Sequence, residues 1–286
     1  PELRYQNDWK IHKNIEAPFL PNGDYKEGFY TFLVVGTDES GLHTDTILVV
    51  SLDTVGEQAN IVSIPRDTQV DVPRNPKKIN AAYAVGGMEQ LKKEIKSIIG
   101  FSPYYHLVVN LEAFEKIVNA VGGVEFDVPR DMDKDAPSQG LHIHLKKGIQ
   151  NLDGDKALQL VRFREYATAD IGRIETQQEF LKALANKVLT VSNIPKVPEF
   201  IEIFQEHVES NLSFWDMQWF ARKVMQLDPG EDISTQILPY SSFGDYQGNN
   251  YVYLDTEKVI SIINQTINPF KFDITVEDVN VIRLED

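Results

Sequence analysis

Three of the nine arginines in this 286-residue chain, Arg162, Arg164 and Arg173, fall within a dozen positions. Arg162 and Arg164 are two apart, so in an extended segment both side chains leave the same face. Asp170 reads as a helix N-cap, with Arg173 in the first turn and Gln177 one turn further along the same face. A helix N-terminus prefers anions to cations, so an arginine there serves helix stability poorly. A bound anion resolves the conflict, with planar guanidiniums, an amide and free N–H groups converging on phosphate. The alternative is local pairing of each arginine with Glu165, Asp170 or Glu175. For three arginines together with Gln177, the expectation is an anion site.

A second group of candidates lies at the start of the chain. The run FYTFLVVGTD reads as a buried strand from Phe29 that ends at Asp38. A short loop leads to Asp45 and a second strand, TILVVSL, and a third strand, ANIVSI, ends at Pro65-Arg66-Asp67. Short connections make neighbouring strands antiparallel. The end of the first strand, the start of the second and the end of the third then share one sheet edge. Asp38, Asp45, Arg66 and Asp67 meet there. Taken alone they are ordinary turn residues; beside an arginine cluster they become a candidate site. Two carboxylates suit a hard cation such as Mg²⁺, which binds few carboxylates and shares substrate phosphates. With four arginines and Lys78 as phosphate ligands, the chemistry is phosphoryl or pyrophosphate handling.

The remaining elements must carry these groups. MEQLKKEIKSII is an amphipathic helix with Leu91, Ile95, Ile98 and Ile99 on one face, stopped by Gly100. Tyr105 to Val109 reads as a strand, Leu111 to Val121 as a helix with Phe114, Ile117, Val118 and Val121 as its apolar stripe, and VEFDVP as a strand. That spacing suggests a βαβ unit and a partly parallel sheet. Arg130 to Gly140 reads as a charged loop. LHIHL is expected to be a short strand with His142 and His144 on one face. Two histidines without a cysteine or third histidine nearby read as sheet surface rather than a metal site. Helices are expected at Asp170 to Val188, Pro198 to Val208 and Trp215 to Leu227, the last capped by Ser213 with Asp216 at its third position. A strand, STQILPY, and a final helix from Thr256 follow. KFDITVEDVNVIRLED alternates apolar residues with acids and reads equally as an edge strand or an acidic tail. No linker interrupts the series. The expected fold is a single α/β domain over residues 28–271, a central mixed sheet with helices on both faces, between a lead-in at 1–27 and an acidic tail at 272–286.

Bulk properties narrow the choices. A net charge of −15 argues against a nucleic-acid partner, which needs a basic face. No cysteine is present, which removes disulfides and thiolate nucleophiles. No P-loop, G-x-G-x-x-G or G-x-S-x-G motif occurs. The paired glycines at Gly86-Gly87 and Gly122-Gly123 read as helix punctuation. No apolar run is long enough to span a bilayer. The chain opens at Pro1 without an initiator Met, so an N-terminal export or anchor segment is expected in a part of the protein not represented here.

The order of motifs GTD, DT before an apolar strand, SIPRDT, KIN-AAY-GG, LDG-KAL-VRFR and D-x-G-R-x-x-x-QQ resembles the LytR–CpsA–Psr family from about Phe29 to about Phe270. The resemblance implies an anchored enzyme on the extracellular face of a Gram-positive cell membrane. Such an enzyme moves a glycopolymer (wall teichoic acid, capsule or similar) from a polyprenyl-pyrophosphate carrier to peptidoglycan, as a phosphotransferase-type ligase. It further implies Mg²⁺, a pyrophosphatase side activity and an apolar tunnel for the lipid tail. By position, Asp38 and Asp45 fall on the family's metal acids. Arg66, Arg162, Arg164, Arg173 and Gln177 fall on its pyrophosphate ligands, with Lys78 on the KIN lysine. Asp38, Arg66 and Arg164 are the candidate catalytic groups. The reaction is drawn as attack of an acceptor hydroxyl on the sugar carbon bearing the pyrophosphate, with lipid pyrophosphate leaving; Asp38 is alternatively the base. His43 and Thr176 stand where the family usually has arginine. Two other functions fit the same residues: a non-catalytic polyprenyl-phosphate-binding regulator and a simple Mg²⁺-dependent pyrophosphatase.

Overall fold

A computed structural model of the chain describes residues 16–21, 23–136, 141–165, 170–189 and 196–284. Its strands are β1 (Phe29–Thr37), β2 (Thr44–Asp53), β3 (Gln58–Ser63), β4 (Tyr105–Val109), β5 (Val124–Val128), β6 (Met132–Ala136), β7 (Leu141–Leu145), β8 (Gly148–Leu152), β9 (Val208–Ser210), β10 (Ile233–Ile237), β11 (Tyr240–Tyr246) and β12 (Asn249–Leu254). The helices are α1 (Ala82–Ile99), α2 (Leu111–Ala120), α3 (Gly154–Arg162), α4 (Asp170–Val188), α5 (Val197–His207), α6 (Phe214–Val224) and α7 (Thr256–Thr266). The central sheet runs β10-β3-β2-β1-β4-β9. β1 is antiparallel to β2 and β2 to β3, so β1 and β3 are parallel, as the short connections require.

Strand alternation assigns the two faces. Leu33 and Val35 of β1 and Ile47 and Val49 of β2 pack on Leu91, Ile95 and Ile98 of α1 and on Val259 and Ile263 of α7. Tyr30 and Phe32, the intervening residues, pack on Phe220 of α6. Helices therefore cover both faces of a mixed sheet. In α1 the expected apolar face is buried at all four positions, and Gly87 at φ 62° interrupts the helix just before it. Gly100 closes it in the left-handed region, φ 82°. α6 opens with the Ser213–Asp216 capping box.

Four local readings change. β5 does not join the central sheet behind α2; it pairs antiparallel with β8. Its alternation of buried and exposed residues marks a strand with one wet face, whereas a parallel strand is covered on both. The parallel pairs are instead β1 with β4 and β3 with β10. The expected loop after Arg130 contains β6, which pairs with β7 because Met132 can be buried opposite Leu145. β11 and β12, which were not anticipated, form a hairpin turned by Gln247 (φ 54°) and Gly248 (φ 77°), a two-residue loop of the kind hairpins favour. Finally, of the two readings left open for the C-terminal stretch the edge strand falls away: Ile274 is 2% exposed against the α1–α7 layer, and Val276–Asp278 make a single 3-10 turn.

The segment between β3 and α1 is held from within. Arg74 forks the carboxylate of Glu94 on α1, with Nη2 to Oε2 at 2.7 Å, and donates to the Lys78 carbonyl at 2.5 Å. Glu94 is 3% exposed, so its charge depends on that guanidinium. Arg74→Ala is expected to cost about 3 kcal/mol of stability, read from urea unfolding. A cost below about 1 kcal/mol would show that Glu94 is satisfied without it.

Candidate functional site

β1 ends with a register shift at Gly36/Thr37, after which the chain turns through Asp38. The Asp38 carboxylate organises that turn. It accepts from Ser40 Oγ at 2.6 Å, the Leu42 and His43 amides at 3.2 and 3.3 Å, and lies 3.2 Å from His43 Nδ1. Burial pushes its pKa up, but the Ser40 hydroxyl, the two amides and the His43 ring outweigh it and hold the carboxyl below its ordinary range.

Asp45, the second residue of β2, is gripped at both oxygens. Arg66, just past β3, reaches Oδ1 at 2.5 Å, and Arg164 reaches Oδ2 at 2.6 Å across 119 residues of sequence. Burial would raise this carboxyl too. The charges of Arg66, Arg164 and Arg173 together outweigh it and hold the carboxyl below its ordinary range. Arg66 is extended into a chain of charge: its Nε is 4.0 Å from Asp67, which takes Lys78 Nζ at 2.9 Å. The SIPRD and KIN blocks thus lock to one another, with the Asn80 amide on the Arg66 carbonyl and buried Ile79 underneath.

The arginine segment is positioned by α3. Asp153 caps the helix on the Lys156 amide, and the Gly154 amide donates to Asn119 of α2 at 2.9 Å. A Cβ on Gly154 would stand 2.5 Å from the Glu115 carbonyl, so only glycine lets α2 and α3 approach this closely. Arg162 is the last helical residue, where a cation suits the helix dipole. Contrary to the expectation, it does not share an extended segment with Arg164. Phe163, 2% exposed, plugs into the core between them, and both arginines still reach the same cavity. Arg162 Nη2 lies 3.4 Å from Glu39. Glu165, the local partner considered above, instead takes Lys134. The Asp170 side chain lies outside the described residues, so its reading as a cap is not addressed; α4 begins at Asp170.

These groups open onto a cavity of about 790 Å³. Its floor is the sheet face carrying Val34, Thr46 and Leu48. Its walls are the α2 residues Leu111, Phe114 and Ile117, the α3 residues Leu158 and Val161, and Phe204 of α5. Along α4, Arg173, Gln177, Leu181 and Leu184 share one face and all line it. That face changes from cationic to amide to hydrocarbon over eleven residues, roughly 16 Å of helix. Arg173 is 1% exposed, and Gln177 donates to the Val161 carbonyl at 2.8 Å.

The structure brings Asp38, Asp45, Arg162, Arg164, Arg173 and Gln177 around one cavity. Arg66 joins through Asp45 and Lys78 through Asp67; neither lines the cavity itself. Thr176 is buried, donating to the Gly172 carbonyl at 2.9 Å, and His43 lies beside Asp38. Glu39 and the residues of the apolar lining were not singled out from the sequence, whereas Asp67 was placed at the sheet edge with Arg66. The spacing of Leu181 and Leu184 from Arg173 carried the signal for the lining.

The chain matches the model of the LytR_cpsA_psr family over residues 4–268. It is 32% identical over 216 residues to the regulatory protein MsrR of Staphylococcus aureus, covering 73% of this chain and 62% of that protein. It is 32% identical over 200 residues to the polyisoprenyl-teichoic acid–peptidoglycan teichoic acid transferase TagV of Bacillus subtilis, covering 66% of this chain and 51% of that one. The chain therefore spans less than two thirds of either relative's length. The crystal structure of B. subtilis TagV superimposes with a TM-score of 0.70 at 27% identity, over 83% of this chain and 95% of that one.

Because the Asp45 carboxyl is depressed on folding, its ion pairs stabilise fully above the unfolded pKa of about 3.9 and are lost as pH falls through the lower folded value. Asp45→Asn is expected to cost about 2 kcal/mol at neutral pH, with the gap from wild type closing under acid conditions. Urea midpoints followed from neutral to strongly acidic pH check this. A gap unchanged with pH would contradict it.

Proposed function

We propose that this chain, which belongs to the LytR–CpsA–Psr family, transfers a glycopolymer from a polyprenyl-pyrophosphate carrier to peptidoglycan. TagV is named for such a transfer of teichoic acid. One observation carries the reading: a cluster of guanidiniums stands at the charged end of a cavity whose other end is hydrocarbon. A diphosphate bearing a long apolar tail matches that gradient group for group. The lipid lies along Leu158, Leu181, Leu184 and Phe204, and the diphosphate meets Arg162, Arg164, Arg173 and Gln177. The glycan extends outward past Asp38. A soluble-pyrophosphate enzyme has no use for the apolar half.

Magnesium fits the donor set. Asp38 and Asp45 are hard oxygen ligands on the same cavity, and the Asp45 oxygens keep lone pairs beyond those given to Arg66 and Arg164. Bound there, the ion would neutralise charge on the diphosphate.

Attack at the sugar carbon would make the reaction a glycosyl transfer. Phosphates clamped by arginines favour attack at the sugar-side phosphorus instead, because guanidiniums stabilise charge growing on phosphoryl oxygens. The acceptor oxygen then bonds to that phosphorus, the bridging P–O bond breaks, and lipid monophosphate leaves with the electron pair. The glycan keeps one phosphate. Asp38, ionised at neutral pH, is placed to take either the hydroxyl proton or a share of the cation. The same reading puts the domain on the outer face of the membrane, tethered by a segment beyond this chain. Among the described residues, no helix is long and apolar enough to cross a membrane. The name of MsrR keeps a regulatory, non-catalytic binder as the second reading.

The test is transfer of a lipid-linked glycopolymer to peptidoglycan by the purified chain. Arg164→Ala and Asp38→Ala are each expected to slow turnover about 100-fold, chelation to abolish it and Mg²⁺ to restore it. One phosphorus per linkage in the product supports attack at phosphorus. Retained lipid without Mg²⁺-dependent turnover would favour the regulator. Equal cleavage of short soluble diphosphates would favour a pyrophosphatase.

A further inference from the structure

The β6–β7 hairpin has a second cluster of chemistry-bearing side chains, none of which lines the cavity. Its register sets Asp133 opposite His144 and Asp135 opposite His142. Met132, Ile143 and Leu145 are buried on the inner face, so the four polar residues stand together on the outer, exposed one. The sequence placed the two histidines on one face; the pairing with β6 supplies the carboxylates.

The geometry within the cluster is directional. His144 Nδ1 lies 2.8 Å from Asp133 Oδ1, and His144 Nε2 lies 3.4 Å from Asp135 Oδ1. The same Asp135 oxygen is 2.8 Å from His142 Nδ1. A proton donated from His144 Nδ1 to Asp133 leaves Nε2 with a lone pair aimed at a carboxylate oxygen. Two acceptors facing each other call for a positive centre between them, which a proton on Nε2 or a metal ion supplies. Asp135 Oδ1 thus lies 2.8 and 3.4 Å from the two ring nitrogens, near the separation of roughly 3.4 Å between ligands of a tetrahedral ion with bonds of about 2.1 Å. Asp133 behind His144 is the carboxylate that orients a metal-bound imidazole in such sites.

We propose that this face binds a first-row divalent cation of the zinc class, with Asp135, His142 and His144 as ligands, Asp133 orienting His144, and water completing the shell. Two imidazoles and one carboxylate select zinc, copper or nickel over magnesium, which takes oxygen ligands. The bland alternative is a pair of surface His–Asp contacts, each of small energetic value. The expected role is structural. On the hairpin's other face, Lys134 holds Glu165 at 2.5 Å, and nearby Arg130 donates to the Glu165 carbonyl at 2.8 Å. Glu165 follows Arg164 directly, so an ion on the hairpin braces the support of the arginine segment.

Calorimetric titration of the metal-stripped chain with Zn²⁺, in excess Mg²⁺, tests the site. One equivalent is expected to bind. The affinity should fall about 100-fold in the double variant H142Q/H144Q and about tenfold in Asp133→Asn. Imidazole NMR signals of His142 and His144 should shift on binding, while those of His43, His106 and His207 stay put. Far-UV circular dichroism confirms that the variants fold. Absence of a stoichiometric equivalent, or binding that survives in H142Q/H144Q, would overturn the proposal. So would loss of zinc binding in Asp38→Asn, which would move the ion to the cavity.

Discussion

One carboxylate ties the site together. Asp45 accepts Arg66 on one oxygen and Arg164 on the other, with Arg173 close enough to depress its pKa further. These arginines come from the end of a strand, the end of a helix and the first turn of another. No local interaction would gather them, and their mutual repulsion opposes it. A single anion at the sheet edge, fixed by the β1–β2 register, gives three distant segments a common target. The supports serve that convergence: the LDG turn seats α3 on α2, the Arg66–Asp67–Lys78 chain closes the strand-three side, and Arg74 anchors the loop beyond it.

The cavity adds the second constraint. A helix turn repeats its face every three to four residues, so a four-residue cycle of side chains can change character along its length without leaving the face. α4 uses this to run from Arg173 through Gln177 to Leu181 and Leu184. Charge and hydrocarbon then share one pocket, each kept at its own end. The buried guanidinium of Arg173 is tolerable because it lies near Asp45, while the far end asks nothing polar of its occupant.

Much of this is legible in the sequence. The apolar runs FYTFLVV and TILVVSL, read as strands, placed Asp38, Asp45 and Arg66 at one edge, because short loops leave few topologies. The spacing of Arg173 and Gln177 placed them on one helix face. What stayed hidden depended on pairing between segments. That β5 takes β8 as its partner, and that β6 exists within a charged stretch, depends on long-range burial of Val124 and Met132, which local composition does not report. The helical state of Arg162 was missed because a period-two reading of R-x-R competes with the period of the preceding α3. Phe114 and Ile117 were legible as an apolar stripe, but whether such a stripe meets core or cavity is decided by its neighbours.

The central claim is that charge at the mouth and hydrocarbon behind it recognise a single ligand. Binding of prenyl diphosphates of increasing length, beside inorganic pyrophosphate, tests it most directly. Affinity is expected to climb about tenfold or more with each added isoprene until the cavity is filled, and Arg173→Ala to weaken every member of the series. Equal affinity for pyrophosphate and the longest lipid, or indifference to Arg173→Ala, would contradict the account.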